Sequence, residues 1–222
     1  MITALIPARK DDQNLKNKNI LPFANSNLLV HKIAQLKKCE LVNEIIVSTD
    51  SAKIGKIAES SGATVNIRPT RLSSTDADFN QLCDYIASII GTPHVLWAPV
   101  TTPLVTSYAF DDAIKTYFQV IEEGFDSLIS VNKIKRFLLD NNGPLNFRFN
   151  KSKRDQASLP VLFEFINAIS ICSVNDMKLW QYNWGKIPYK YPLPVSMQVD
   201  ICDSFDYELA KLVYGAQFEL FN

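Results

Sequence analysis

Ile6-Pro7-Ala8-Arg9, with Lys18-Asn19 across the loop that follows, lies where an apolar opening strand beginning at Met1 runs out into a polar stretch that also carries Lys10 and Lys16. In α/β proteins ligands bind beyond the carboxyl ends of the strands. A loop there wraps phosphates with backbone N–H groups while Arg and Lys neutralise their charge. The layout suits a nucleoside triphosphate, and taken alone it reads equally well as a solvated basic turn.

Outward from this segment, hydrophobic periodicity gives a βα alternation, the pattern of a parallel sheet covered by helices. Strands are expected over residues 2–6, 44–48, 95–98, 127–131, 167–171 and 198–201. The clearest helix spans about 78–90, where Phe79, Leu82, Cys83, Ile86, Ile89 and Ile90 repeat at helical spacing and Gly91 supplies the stop. A second, over 51–61, places Ile54, Ile57 and Ala58 on one face and ends at Gly62. Between 133 and 165 Asn, Gly and Lys interrupt the pattern, but no repeat or low-complexity linker divides the chain. One α/β domain over residues 1–222 is expected.

Composition narrows the class. A chain of 222 residues with 47% apolar content fills the core of one enzyme-sized domain. Lys plus Arg equal Asp plus Glu at 23 each, which argues against nucleic acid or an anionic membrane as the main partner. The opening lacks the order of a signal peptide and no apolar run is long enough to span a bilayer. Cys39, Cys83, Cys172 and Cys202 are scattered without metal-type spacing and read as reduced thiols of a cytoplasmic protein. His31 and His94 are the only histidines and make no zinc site, and Ser48 and Thr49 have no histidine partner for nucleophilic catalysis.

Six segments in order carry a family resemblance. The opening reads IPARKDDQNLKNKN and resembles the nucleotide-binding signature of the CMP-sugar synthetases, IPARGGSKGIPRKN. These are the cytidylyltransferases that activate N-acylneuraminate and 3-deoxy-manno-octulosonate. Ile45-Ile46-Val47-Ser48-Thr49-Asp50, Arg68-Pro69, Thr101-Thr102-Pro103-Leu104, Asp126-Ser127-Leu128-Ile129-Ser130-Val131 and Val199-Asp200-Ile201 are similar to the family's IIVSTD, RP, TSPL, DSVVSV and VDID segments. The resemblance implies a Rossmann-like, mostly parallel sheet flanked by helices, of the nucleotide-diphospho-sugar transferase type. It also implies a protruding arm at about 133–165 that packs on a second subunit, so a homodimer.

The implied chemistry is nucleotidyl transfer, in which a hydroxyl of an acidic keto-deoxy sugar attacks the α-phosphorus of CTP and pyrophosphate departs. The product is a CMP-sugar for a surface polysaccharide. Positioning and charge stabilisation supply most of such catalysis, so the parts required are cations at the triphosphate, Mg²⁺ and a rigid sugar pocket. By resemblance Arg9 and Lys18 are the phosphate cations and, with Asp200, the catalytic set. Asn19, Arg68 and Thr101 are further nucleotide contacts. The residues alone leave other readings open: Lys18 paired with Asp11 or Asp12, Asn19 as a turn residue, Arg68 paired with Asp76 or Asp78.

Asp200 and Asp203 are the metal candidates, since Mg²⁺ takes one or two carboxylates and completes its shell with phosphate oxygens and water. The family's second carboxylate falls here on Cys202, a soft ligand poorly matched to Mg²⁺. Asp203 also suits the cap of a helix beginning near Ser204.

Other departures cluster in two places. The loop glycines are replaced by Lys10, Asp11 and Asn14, and Asp11 and Asp12 bring negative charge to the phosphates. On the sugar side Pro99 and Val105 replace the family's Gln and Arg, and Ile166-Asn167-Ala168-Ile169-Ser170 lacks its tyrosine, so the acceptor is not expected to be N-acetylneuraminate itself. Lys133, Lys135, Arg136, Arg148, Lys151, Lys153 and Arg154 offer charge for a substrate carboxylate, and Arg154, Arg136 and Asn167 are the acceptor-site candidates. A phosphonate or other small acid is the alternative acceptor, and a degenerate, non-catalytic nucleotide-binding homologue the alternative class. Trp180, Tyr182, Trp184, Tyr189 and Tyr191 read as a packing cluster or dimer surface.

Overall fold

The computed structural model describes residues 1–10, 12–74, 76–148 and 156–220, with side chains through residue 216. Its strands are β1 (Ile2–Pro7), the short pair β2 (Pro22–Phe23) and β3 (Ser26–Asn27), β4 (Glu44–Thr49), β5 (Thr64–Ile67), β6 (His94–Trp97), β7 (Ser127–Ile134), the short pair β8 (Leu139–Asp140) and β9 (Gly143–Pro144), β10 (Leu162–Ser173) and β11 (Pro188–Pro192). The helices are α1 (Leu28–Lys37), α2 (Ala52–Ser60), α3 (Phe79–Ile89), α4 (Ser107–Glu122), α5 (Val174–Trp180) and α6 (Ser204–Leu220).

Seven strands form the main sheet, in the order β11-β7-β10-β6-β1-β4-β5. All neighbours run parallel except β10, which is antiparallel to both β6 and β7. The chain builds outward from β1 through β4 to β5, then returns to place β6 on the other side of β1. That reversal opens the crevice where an α/β sheet takes its ligand.

Both faces of the sheet are apolar, as a covered parallel sheet requires. Ile2, Ala4 and Ile6 of β1 and Leu96 of β6 pack with α1, α2, α4 and α6, while Leu5, Val95 and Trp97 point the other way, into the layer of α3 and α5. Side chains at the helix starts close the free N–H groups there. Asn27, Ser51, Asp78, Thr106 and Ser173 each accept a backbone hydrogen bond at the start of α1 to α5. Gly62, just beyond α2, has φ +82°, a left-handed turn that glycine adopts without strain.

Three features depart from the sequence reading. Residues 198–201 form no strand, because β10 already occupies the place beside β6. They run instead as a loop after the turn Val195–Met197, pinned where the Ile201 N–H donates to the Thr101 carbonyl at 2.8 Å. Strands β5 and β11 were not anticipated. The expected strand at 167–171 is the far end of a longer one, β10, which pairs with β7 up to Leu162 opposite Ile134.

That pairing is broken once. Between Phe165 and Ser170 five steps along β10 oppose only two along β7, from Val131 to Ile129. The Ser130 hydroxyl fills the gap, donating to the Ile166 carbonyl at 2.6 Å and accepting from the Ile169 N–H at 2.9 Å. The bulge keeps Ala168 buried and turns Asn167 out to solvent. Ser130→Ala leaves two buried backbone groups unpaired and is expected to cost about 1–3 kcal/mol of folding stability, read by urea denaturation.

Candidate active site

Loops at the carboxyl ends of β1, β4, β5 and β6 bring most of the nucleotide candidates together. The Ala8 N–H donates to the Ser48 carbonyl at 2.9 Å, so the chain leaves β1 in register with the end of β4. Beyond β4 the Asp50 carboxylate accepts the Lys10 N–H at 2.8 Å. Asn17, in the left-handed region at φ 57°, turns the loop into the short helical turn Lys18–Ile20. There Asn19 is buried and its amide donates to the Arg9 carbonyl at 2.7 Å, fastening the far end of the loop to its start.

At the centre of this loop Asp12 holds both phosphate-cation candidates. One carboxylate oxygen lies 3.1 Å from Lys18 Nζ and 3.3 Å from Arg9, and the other accepts the N–H groups of Asn14 and Leu15. Burial raises the Asp12 pKa, but the Lys18 hydrogen bond and the two backbone bonds outweigh it and hold the carboxyl below its ordinary value. The alternative pairing of Lys18 with Asp12 is therefore realised. Asp11 lies outside the described residues.

Arg68 approaches from β5. Its backbone N–H donates to the Thr49 carbonyl at 2.8 Å and its Nε to Ser73 Oγ at 2.7 Å, rather than pairing with Asp76 or Asp78. The residue is only 4% exposed, yet its Nη1 has no hydrogen-bond partner among the described residues. The charges of Asp50 and Arg9 both act on it.

Thr101, beyond β6, connects this cluster to Asp200. Its carbonyl accepts the Ile201 N–H, and its hydroxyl acts on the neighbouring Asp200 carboxylate, favouring the charged form. Burial pushes the Asp200 carboxyl above the ordinary range, against the Thr101 hydroxyl and the charge of Lys18, with Asp206 pushing the same way. Asp203 is engaged elsewhere. Its Oδ1 accepts the N–H groups of Phe205 and Asp206 while Asp206 reaches back to the N–H groups of Cys202 and Asp203, a reciprocal cap on α6.

Burial and the neighbouring Asp200 raise the Cys202 thiol, so at neutral pH it is protonated and offers no thiolate. Among the described residues no three His, Cys, Asp or Glu side chains gather as a metal cage. The donor set fits a hard ion held by the Asp200 carboxylate and completed by ligand oxygens and water.

The acceptor candidates stand apart. Arg136 is exposed on the limb beyond β7, Asn167 is exposed on the bulge of β10, and Arg154 lies outside the described residues. Of the aromatic run, Tyr182 packs edge-on against Phe79 and Trp184, and Trp184 lies 6.0 Å from the Phe165 ring, so these form a cluster beside β10.

Lys32 went unnoticed in the sequence. It sits on the buried stripe of α1 with Leu28, Leu29, Ile33 and Leu36, is fully enclosed, and donates to the Thr102 carbonyl at 2.8 Å. Burial lowers its ammonium from 10.5 to about 7, against the pull of Cys39 and Asp200. A lysine spaced four residues from Leu28 and from Leu36 on an apolar face was the available signal.

A sequence profile described as cytidylyltransferase matches residues 3–153. Among curated proteins the chain is 31% identical over 217 residues to an N-acylneuraminate cytidylyltransferase of Escherichia coli O18:K1:H7, covering 94% of this chain and 51% of the relative. It is 39% identical over 64 residues to a CMP-N,N'-diacetyllegionaminic acid synthase of Legionella pneumophila, covering 29% and 28%. The chain thus spans about half, or less, of the length of these relatives. Among solved structures it superposes on CMP:2-keto-3-deoxy-manno-octonic acid synthetase complexed with CTP with a TM-score of 0.72 at 9% identity, over 97% of this chain and 99% of that one.

Two outcomes are expected. Asp12→Asn keeps the loop's backbone bonds but frees Arg9 and Lys18, so triphosphate binding measured by calorimetry tightens about two- to fivefold, from ~0.5–1 kcal/mol for the two ion pairs together; weaker binding would show that Asp12 works with the ligand. Because Lys32 has a pKa of about 7 folded against 10.5 unfolded, the unfolded chain binds the extra proton between those values. Its contribution makes stability rise with pH across that window, and Lys32→Met removes the slope from denaturation curves taken at pH 7 and pH 9.

Proposed function

The chain belongs to the cytidylyltransferase family, and from that premise we propose that it transfers CMP from CTP to an acidic keto-deoxy sugar of the nonulosonate type, releasing pyrophosphate. The observation that carries the reading is Arg68, a buried guanidinium whose Nη1 has no hydrogen-bond partner among the described residues, close enough to Arg9 to feel its charge. Such a group is costly to bury unless an anion completes it. The triphosphate is that anion. The names of the relatives point to nonulosonate acceptors, and the CTP complex of the superposed synthetase points to the nucleotide.

In the proposed reaction the sugar oxygen bonds to the α-phosphorus as the bond to the bridging oxygen of pyrophosphate breaks, and the hydroxyl proton passes to water. Arg9 and Lys18 exchange the Asp12 carboxylate for phosphate oxygens, and Arg68 brings its Nη1 there. Asn19 keeps the loop closed behind them. Asp200 would hold Mg²⁺, which supplies Lewis-acid polarisation of the phosphate when bound.

The acceptor half rests on the limb formed by β7 and β10. Lys133, Lys135, Arg136 and Arg148 are exposed there, as are the apolar side chains of Leu139, Leu145, Val161 and Phe163. We infer that this limb meets a second copy and that its cations serve the acceptor carboxylate, in a cytoplasmic homodimer. A nucleotide-binding protein without turnover is the second reading, favoured by Asp12 on the phosphate cations and by Cys202 in the second metal position.

Pyrophosphate release from CTP, assayed with a panel of keto-deoxy sugar acids and a phosphonate, separates the two. The catalytic reading requires release that depends on an acceptor, and nucleotide binding without it supports the second. Arg9→Ala or Lys18→Ala is expected to lower kcat/KM for CTP about tenfold or more, the loss of a charge-assisted contact worth ~1.5–3 kcal/mol.

A further inference from the structure

Helix α1 grips the turn that carries Thr101 by three side chains from two successive turns. His31 Nε2 and Gln35 Nε2 both contact the Pro103 carbonyl, at 2.9 and 2.7 Å, and Lys32 Nζ donates to the Thr102 carbonyl. The next residue toward β6 is Thr101, whose carbonyl accepts the Ile201 N–H at 2.8 Å and so ties the turn to the residue that follows Asp200. A continuous path therefore runs from the buried ammonium through one turn to the backbone beside Asp200.

Packing does not account for Lys32. Its neighbours on the stripe are Leu and Ile, its stem lies over the Phe110 ring with Nζ 4.8 Å from the centroid, and its one hydrogen bond is to a backbone carbonyl. An ammonium there gives up its hydration for a single acceptor, whereas Met fills similar volume at no such cost. Among the described residues, Asp200 is the carboxylate whose charge acts on it.

We propose that Lys32 is a positioning residue for the transfer reaction: from beneath the sheet edge it fixes the Thr101–Thr102 turn and thereby places the Asp200 carboxylate. The assignment rests on the cytidylyltransferase reading for its kinetics but not for its structural half. Stability is given up at this position for the placement of a group that acts on substrate, a trade common at functional sites.

Lys32→Met and Lys32→Arg test it with three measurements. Thermal unfolding of the Met variant is expected to occur at or above the wild-type temperature. Amide exchange at Ile201, whose N–H is held by Thr101, is expected to quicken about tenfold or more in the Met variant by local opening. In the pyrophosphate assay the kcat of the Met variant is expected to fall about ten- to hundredfold, as for a slightly misplaced catalytic group. KM for CTP should change little, because Arg9, Lys18 and Arg68 are untouched, and Arg should restore part of kcat.

Unchanged Ile201 exchange overturns the proposal whatever the activity. So does a Met variant that unfolds at lower temperature with KM and kcat impaired together and no rescue by Arg, which marks a packing role. If the wild-type chain releases no pyrophosphate, the functional reading fails by itself, and Ile201 exchange still decides whether Lys32 controls the turn.

Discussion

Like charges converge only where something of opposite sign holds them, and this condition shapes the carboxyl edge of the sheet. Arg9, Lys18 and Arg68 arrive from the ends of two strands and the loop between β1 and α1, and each needs compensation before any ligand is present. Asp12 serves the first two at 3.1–3.3 Å, and Asp50 lends its charge to Arg68 while accepting the Lys10 N–H at 2.8 Å. Asp200, tied to β6 through Thr101, brings a third carboxylate within reach of the Lys18 charge. The loop has no glycines at the positions where related sequences carry them, and its shape comes instead from the Asp12 backbone bonds, the left-handed Asn17 and the Asn19 staple. Side-chain hydrogen bonds thus replace backbone freedom in forming this loop.

How much of this the sequence disclosed follows from the range of the interactions. The run from β1 to Asn19 and helices α2 and α3 were legible, because each is set by contacts a few residues apart. What depended on distant pairing was not. Residues 198–201 carry a strand-like apolar pattern, but whether a strand forms depends on a free place beside β6, and β10 had taken it. The direction of β10 leaves no trace in its composition, and the bulge that exposes Asn167 depends on a serine 37 positions earlier in the chain. β11 lies hidden in an aromatic run, and the prolines that close both its ends suit its place as an edge strand. Lys32 hid in a helix whose other buried positions are all aliphatic.

The second metal candidate shows how one residue type serves two roles. Asp203 suited both a cap and a ligand on sequence grounds, and the reciprocal bonds with Asp206 engage it at the start of α6. Asp200, three residues earlier, lacks a helix to close and is instead drawn under the Thr101 turn, where burial raises its proton affinity and the nearby Lys18 opposes the rise. Local backbone demand, more than proximity in sequence, separates the capping carboxylate from the one left facing Thr101.

The reversed strand has a consequence for how the protein varies. Since β10 runs back alongside β7, their connection departs from the sheet at the end where the loops after β1, β4, β5 and β6 gather, and its length is not fixed by any crossover. Lengthening such a connection costs only about 0.6 kcal/mol per doubling. Insertions in the limb leave the pairings of β1, β4, β5 and β6 intact. The part of the chain proposed to face the acceptor can therefore drift in size and charge over evolutionary time, while the part proposed to face the nucleotide stays bound to the geometry of four strand ends.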